Sequence, residues 1–353
     1  KGMDFQGTKN FRLLVLSSTL TRKRLSLDRV RPNDVNPGLR EHEITFLRII
    51  SEITQGTITE ISECGTQLRF SPGTLVGGSF EFDTGTKIGI AYFAEPLMLL
   101  GLFAKNNSRF KFTGLTSDDK GQGVDALKYY YDNFLDLLGI SSNVAIKITS
   151  RGFLPRGKGE VLLEVNALEK VSPFSLFPPS KFEKIRGLLA STKTNHQICS
   201  NIISDLKENL LPFFKDVYIY MDSGSAGSDP CPGFSLALVA ISDSNKSIVV
   251  SETNSSIIAD ISDFALESSK LLIKKVAKCM HVDQERFWML LLFMSVSNGV
   301  SSVSVKNVPG GDLISLVEEC MGVKFIKSRE SASGFAEFKC MGVGLTNSAK
   351  EYK

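Results

Sequence analysis

Hydrophobic and polar positions alternate along several short runs of the chain, which is typical of strands with one buried face. Two such runs, Val144–Thr149 and Val161–Val165, lie on either side of a glycine-rich stretch. Elsewhere apolar residues recur at helical spacing, most regularly from Val124 to Leu138, and Gly139 ends that pattern. The pattern therefore predicts a chain that mixes strands and helices.

The same two patterns predict elements along most of the chain. Helices are predicted over residues 36–53, 90–104 and 284–297, the first with Asn36 as its cap and Pro37 in its first turn. The order strand, helix, strands, helix, strands recurs about every eighty residues, which is too long for a solenoid repeat. We therefore expect duplicated α/β units.

The composition changes at Ser172–Ser180, which holds three prolines and three serines and is typical of a linker. A distinct module follows, with strands predicted at Ile185–Ala190 and Val217–Tyr220 and a helix over residues 195–209. The last strands and helices then resume the earlier pattern.

The glycine-rich stretch Ser150–Val161 is predicted to be a turn between two strands. It carries Arg151, Arg156 and Lys158 among its glycines. Backbone amides that glycines expose, beside fixed cations, can bind phosphate. The alternative is a solvated hairpin with a few charges, because glycine-rich turns are common and weakly specific.

This turn also has a recognisable signature. Its order Arg-Gly-aromatic-x-Pro-x-Gly-x-Gly-x-Val resembles the signature of the RNA 3'-terminal phosphate cyclase family. Further stretches resemble the same family from about residue 4 to residue 347. These stretches are Asn36–Arg40, Arg69–Thr74, Gly77-Gly78, Phe293–Val300 and Gly342–Asn347.

The resemblance implies an α/β, sandwich-like fold. Three β-α-β-α-β-β units would surround a pseudo-threefold axis, with a small α/β domain inserted into the third. It places the cyclase-like repeat domain in residues 1–180 and 276–353 and the inserted domain in residues 181–275.

The chain departs from the cyclase pattern at the residues that carry the chemistry. The cyclases have a Gly-Glu-Gly-Gly-Gly-Gln run before an arginine, whereas Gln6–Arg12 keeps the arginine but loses the glutamate and glutamine. Their histidine, which takes AMP covalently, would fall in Val308–Leu313, where Gly311 stands about at its position. Their Asp-Gln pair falls near Trp288-Met289, and Lys158 replaces a glycine of the turn.

These departures resemble the cyclase-like branch of the family, which lacks cyclase chemistry. That branch implies a ribosome biogenesis factor, required in the nucleus and nucleolus for early processing of small-subunit (18S) precursor rRNA. The implied partners are the precursor rRNA, a small nucleolar ribonucleoprotein particle and a nucleolar GTPase. We expect no cofactor, no metal and no catalytic residue.

Cations that the chain keeps from the ancestral nucleotide and RNA-end pocket are predicted to bind RNA or another anion. They are Arg12, Arg40, Arg151, Arg156 and Lys158. A helix N-terminus beside Arg40 would also favour an anion. However, Glu41 and Glu43 offer Arg40 local pairing.

Charge is concentrated near the start of the chain. The 353 residues are 42% hydrophobic and 22% charged, with a net charge of +3 that does not by itself indicate nucleic acid. Between Lys9 and Arg31, however, seven basic residues accompany one acid, Asp28. Such a run either neutralises phosphates, docks an acidic protein groove, or forms a solvated edge. The partner-docking candidates in this run are Arg22, Lys23, Arg24, Arg29 and Arg31.

The six cysteines are widely spaced, without a Cys-x-x-Cys pair or clustered histidines. That spacing indicates a reducing compartment and argues against a zinc site. We recognise no signal peptide and no apolar run long enough to span a bilayer, so no membrane contact is expected.

An endonuclease that cuts precursor rRNA is the competing interpretation. Metal-dependent cleavage needs clustered carboxylates. The acids considered, Asp118, Asp119, Asp312 and Glu330, have no recognisable metal-binding spacing. The histidines, His42, His196 and His281, have no serine or cysteine at a suggestive spacing. A pure protein adaptor is a third interpretation.

Overall fold

The computed structural model describes residues 2–118, 123–178, 181–223, 231–242, 248–255, 261–278, 282, 284–306, 311–329 and 334–347. Three units in it repeat the element order β-α-β-α-β-β, and each unit forms one four-stranded sheet. An α/β segment is inserted into the third unit and forms a sheet of its own. The predicted fold class is confirmed.

The first unit runs to residue 75. It contains β1 (Met3–Gln6), α1 (Phe11–Thr21), β2 (Leu25–Asp28), α2 (Glu41–Ile53), β3 (Thr54–Gln55), β4 (Ile58–Ile61), β5 (Leu68–Ser71) and β6 (Thr74–Leu75). The second contains β7 (Gly78–Gly89), α3 (Ala91–Leu102), β8 (Ser108–Leu115), α4 (Val124–Leu137), β9 (Val144–Ser150) and β10 (Gly159–Val165).

The third unit begins with β11 (Ser175–Leu176). The inserted segment then contributes β12 (Phe182–Thr192), α5 (His196–Leu210), β13 (Asp216–Asp222), β14 (Gly233–Ser242), β15 (Ile248–Ser255) and α6 (Ile261–Ala277). The unit is completed by α7 (Phe287–Val296), β16 (Val300–Lys306), α8 (Gly311–Met321), β17 (Phe325–Lys327) and β18 (Phe335–Met341).

The three unit sheets share one topology. Their strand orders are β1-β2-β5-β4, β7-β8-β10-β9 and β11-β16-β18-β17. In each sheet the first two strands are parallel and the remaining pairs are antiparallel. The repeat expected from the sequence is therefore present, while the pseudo-threefold axis stays a prediction.

The first helix of each unit lies at the centre of the molecule. All residues of α7 are buried, as are nearly all those of α3, and a helix that is apolar on every side requires such a position. Helix α1 contacts both α3 and α7. The centre of the fold is thus built from equivalent helices of three units.

The inserted sheet, ordered β13-β12-β14-β15, uses its two faces differently. One face packs against α5 and α6 around a separate apolar cluster that includes Leu236 and Leu238. On the other face Ala237 and Val239 join the main core, where α4 packs against β14 and β15. The domain limits at residues 180 and 275 stay predictions.

Two predictions about local structure were wrong. The helix predicted from residue 36 begins at Glu41, because Gly38 holds a left-handed φ of 85° that a helix cannot contain. An added Cβ at Gly38 would also lie only 2.4 Å from the Cys64 carbonyl oxygen. The backbone at Gly38 therefore packs closely against the segment that contains Cys64 and does not form a helical turn. The predicted linker Ser172–Ser180 contains β11, which pairs with β16.

One helix start in the third unit differs from the prediction. The helix predicted from Gln284 begins at Phe287. The strands on either side of the turn, and the α4 helix with its stop at Gly139, are confirmed.

Candidate functional site

Arg151 opens the turn between β9 and β10 but is buried, with 6% of its side chain exposed. Its Nη1 donates to the Asp125 carboxylate at the start of α4. Its Nη2 and Nε donate to Asp222 Oδ2 on β13, at 2.6 and 3.2 Å. The residue predicted to bind phosphate therefore already holds two carboxylates.

This double pairing fixes the charge of Arg151. Burial is the largest influence and acts to lower its pKa, but the carboxylates of Asp125 and Asp222 together raise the pKa above the ordinary value. Because Asp125 belongs to the second unit and Asp222 to the inserted segment, Arg151 ties the two together.

Arg156 and Lys158, at the tip of the same turn, are exposed. Lys158 holds a φ of 56°, in the left-handed region that favours glycine. At the base of the turn, the Phe153 ring packs directly on Gly233, where an added Cβ would lie 2.5 Å from Phe153 Cγ. The turn thus rests on the inserted sheet and presents two cations beside it.

Arg12, at the start of α1, points into the centre of the fold. Its Nη1 donates to Glu95 Oε2 at 2.9 Å and to the Tyr92 carbonyl oxygen at 3.1 Å. Its guanidinium lies 4.6 Å from the centre of the Tyr92 ring and 4.9 Å from that of Trp288. Burial raises the pKa of Tyr92 to about 12, so its hydroxyl stays protonated and adds no negative charge beside Arg12.

Glu95 on α3 organises the surrounding polar cluster. It is buried, with 3% exposed, and its Oε1 accepts a hydrogen bond of 3.0 Å from the Tyr131 hydroxyl. The buried Arg286, just before α7, lies with its Nε 4.0 Å from the same oxygen. Burial raises the pKa of Tyr131 well above its ordinary value, with nearby Glu95 adding to the effect, so the hydroxyl stays a donor. We call these four residues, Arg12, Glu95, Tyr131 and Arg286, the central cluster.

Glu95 was not among the residues predicted from the sequence, although a signal existed. It is the one charged residue in the otherwise apolar run Ala91–Leu102. A carboxylate in a helix that is apolar on every side needs a buried cation or donor. Arg286 and Tyr131 left no comparable signal.

Arg40 caps α2 through its backbone, because its amide donates to Glu43 at 2.7 Å. Its guanidinium pairs with Asp34 and donates to the Asn36 carbonyl oxygen at 2.8 Å. The expected local pairing of Arg40 is present, with Asp34 rather than a neighbouring glutamate as the partner. Glu43 instead accepts two hydrogen bonds from Arg31, at 2.6 and 2.8 Å.

Arg29 is exposed and follows β2 near the start of α1, where the Asp28 carbonyl oxygen accepts a hydrogen bond of 2.8 Å from the Gly7 amide. Arg22, Lys23 and Arg24 lie at the opposite end of α1. There Arg22 and Arg24 are exposed, and Lys23 Nζ donates to the Cys320 carbonyl oxygen at 2.9 Å. A cleft of about 820 Å³ opens here. Its lining comes from Thr19–Lys23, Gly73–Leu75, Phe103, Lys105, Met321, Val343 and Leu345–Asn347. Two partner-docking candidates, Arg22 and Lys23, therefore line a groove.

The remaining candidates for catalysis are scattered. Asp118 is buried and accepts a hydrogen bond from the Gly89 amide, whereas Asp312 is exposed and lies 3.6 Å from Lys9. His196 is exposed, and burial lowers the pKa of His42 below its ordinary value. Asp119, His281 and Glu330 lie outside the described residues.

Gly311, which stands about where the cyclases have their histidine, is the first residue of α8. Its neighbour Asp312 contacts Lys9, so this position lies close to the segment that precedes α1. Among the described residues, no three His, Cys, Asp or Glu side chains lie together so as to hold a metal ion. None of the described helices is long and apolar enough to cross a membrane.

The predicted cations thus lie in three places: Arg12 in the central cluster, Arg40 at the start of α2, and Arg151, Arg156 and Lys158 in the turn. The fold that carries them repeats three β-α-β-α-β-β units and has an inserted α/β segment, which places the chain among the mixed α/β repeat proteins.

A sequence profile of the RNA 3'-terminal phosphate cyclase family matches residues 3–325. The chain belongs to this family. It is 30% identical to the probable RNA 3'-terminal phosphate cyclase-like protein of Arabidopsis thaliana, over 98% of each chain. It is 32% identical to the RNA 3'-terminal phosphate cyclase-like protein of Mus musculus, over 83% of this chain and 80% of that one.

A third relative carries a different name. The chain is 31% identical to the rRNA processing protein RCL1 of Saccharomyces cerevisiae, over 67% of this chain and 65% of the relative.

Proposed function

We propose that the chain is a ribosome biogenesis factor for early processing of the small-subunit (18S) precursor rRNA, located in the nucleolus. It serves as an RNA-binding scaffold that accompanies a GTPase partner and the small nucleolar ribonucleoprotein particle. It does not cyclise RNA ends. The name of the Saccharomyces cerevisiae relative, an rRNA processing protein, supports the process.

The observation that carries the proposal is the contrast between two sets of cations. Arg12, which the resemblance assigns to the nucleotide pocket, is hydrogen-bonded to the buried Glu95. Arg156 and Lys158 are exposed on the turn. The exposed Arg156 and Lys158 can reach RNA phosphates, whereas Arg12 is partly buried and its charge is compensated by Glu95.

The absence of cyclase chemistry is supported by the residue at the expected nucleophile position. Gly311 has no side chain to take AMP covalently. Purified protein given ATP and RNA with a 3'-phosphate should form no more 2',3'-cyclic ends than a sample without protein. Cyclic product above that level contradicts this part of the proposal, and shortened RNA supports the endonuclease interpretation instead.

RNA contact is tested by ultraviolet crosslinking in cells, followed by sequencing of the attached RNA. We expect crosslinks concentrated in small-subunit precursor rRNA near an early cleavage site. The variant R156Q/K158Q should lose most of them while staying in the particle. If the unaltered protein enters the particle without RNA crosslinks, it is an adaptor held by protein contacts.

The basic cleft at the end of α1 supports docking of an acidic segment of the GTPase partner. Arg22 and Lys23 line it, and Lys105 adds a further cation. We expect R22E/K23E to abolish co-purification of a GTPase from cells. The control K278E reverses an exposed charge just after α6 and should have no effect. If the GTPase co-purifies equally with both variants, its docking surface lies elsewhere on the chain.

A further inference from the structure

Strand β13 exposes two tyrosines on the face of the inserted sheet that α4 covers over β14 and β15. Tyr218 pairs in register with Arg186 on β12, and Arg186 pairs with Val239 on β14. Residues in register point to the same side of a sheet. Because Val239 packs in the core beneath α4, Tyr218 and Tyr220 lie on that same side, beyond the edge of the helix.

These rings are far more exposed than aromatic side chains in a core. Tyr218 is 49% and Tyr220 53% exposed, while Ile219 between them is 6% exposed on the opposite face. Their ring centres lie 4.4 Å apart with the planes at 72°, so the edge of one ring packs against the face of the other. The ring faces turned away from this contact remain exposed to solvent. We call this surface, Arg186, Leu188, Tyr218 and Tyr220, the tyrosine face.

The two carboxylates beside the tyrosine face, Asp216 and Asp222, each form an ion pair with an arginine. Asp216 accepts two hydrogen bonds from Arg186, at 2.6 and 2.9 Å. Asp222, at the other end of the strand, is paired with Arg151. Arg186 therefore compensates the charge of Asp216, and Arg151, which is shared between Asp222 and the buried Asp125, compensates part of theirs, so the repulsion of an approaching phosphate backbone is reduced.

The cationic turn adjoins the tyrosine face. Asp222 lies two residues beyond Tyr220, which is about 7 Å along a strand. Arg151, at the base of the turn, holds Asp222 at 2.6 Å. The turn that carries the exposed Arg156 and Lys158 therefore begins at the end of the strand that carries the rings.

We propose that the tyrosine face stacks unpaired RNA bases while Arg156 and Lys158 hold the adjoining phosphates. A four-stranded sheet that presents aromatic rings is one of the arrangements that bind single-stranded RNA, and every base offers a face to stack. The occupant is thus single-stranded RNA rather than duplex. This inference rests on the proposed RNA-binding role and names the residues and the form of RNA.

The test is fluorescence anisotropy of the full chain with a labelled single-stranded RNA and with a duplex of the same length. Y218A/Y220A should weaken single-strand binding about 10-fold to 100-fold and leave its salt dependence unchanged. Y218F/Y220F should bind like the unaltered protein, because the rings remain. The matched control F213A removes a 65% exposed aromatic ring after α5 and should have no effect.

A second variant separates stacking from charge. R156Q/K158Q removes two cations, so it should reduce the slope of log K against log salt by about 1.4 for a single strand. If this variant weakens binding but Y218A/Y220A does not, the stacking inference is overturned and the RNA-binding role stands. If the unaltered protein binds neither RNA, both fail. If Y218A/Y220A weakens binding equally for single-stranded and duplex RNA, the stacking inference is also overturned.

Discussion

Replacing Arg151 with methionine tests whether this residue is structural rather than a ligand for phosphate. The change keeps an unbranched apolar stem but leaves Asp125, of which 6% is exposed, without its cation. Breaking a buried ion pair by removing one partner costs about 3–5 kcal/mol. Asp222 is 38% exposed and can be hydrated by water, so the loss should come mainly from Asp125.

Protonation of the unpaired carboxylate sets an independent upper limit on this loss of stability. The folded R151M protein can avoid a buried unpaired carboxylate by binding a proton on Asp125. An aspartic acid ordinarily titrates near pH 3.9, and each pH unit above that costs about 1.4 kcal/mol, so the limit is about 4 kcal/mol at pH 7. At pH 5 the same step costs only about 1.5 kcal/mol.

The pH dependence therefore has a definite sign. Between these pH values the folded variant binds more protons than the unfolded chain, so its stability falls as the pH rises. The deficit of R151M relative to the unaltered protein should be larger at pH 7 than at pH 5. Lost packing alone would give the same deficit at both.

The assay is urea unfolding of the full chain at the two pH values. The matched control is R186M, which breaks an ion pair whose side chains are 30% and 48% exposed and should cost less than about 1 kcal/mol. If R151M loses no more than R186M, or if its deficit does not change with pH, the structural role assigned to Arg151 is incorrect.

Three further predictions concern the interior. E95Q removes the carboxylate that Arg12 contacts and should lower the free energy of unfolding by about 3 kcal/mol in urea titrations, whereas a loss below about 1 kcal/mol would mean that the central cluster is dispensable. Burial lowers the pKa of His42, so stability should fall as the pH drops below about 6.5, and H42Q should flatten that dependence; identical pH profiles would refute this. Burial raises the pKa of Cys320 to about 12, so a thiol reagent should label the exposed Cys64 far faster in the native protein, and equal rates would contradict the burial.

Local signals explain why much of the fold was predictable. Each of these signals is contained in a short stretch of sequence: the alternation in β9 and β10, the glycines between them, and the apolar stripe of α4. The start of α2 was missed because Gly38 packs against Cys64, which is distant in sequence. Hydrophobic periodicity within a short stretch of sequence cannot reveal a contact between residues that are distant in sequence.

The candidate site was less predictable, because the sequence showed the cations but not their partners. Asp222 lies 71 residues from Arg151, and Glu95 lies 83 residues from Arg12. Whether an arginine faces water or a buried carboxylate is decided by such distant pairs. Tyr218 and Tyr220 read as ordinary strand residues, since their exposure depends on where α4 stops covering the sheet.

The two charged regions lead to different expectations about RNA. In the central cluster, Glu95 lies between Arg12 and the buried Arg286, so a nucleotide that displaced Glu95 would leave buried charge unpaired. The turn is open, and at Lys158 the chain carries a charged side chain in a backbone conformation that favours glycine. A conformation of that kind costs about 1–2 kcal/mol. K158G should therefore stabilise the fold while weakening RNA binding, a combination that follows only if the lysine contributes to binding.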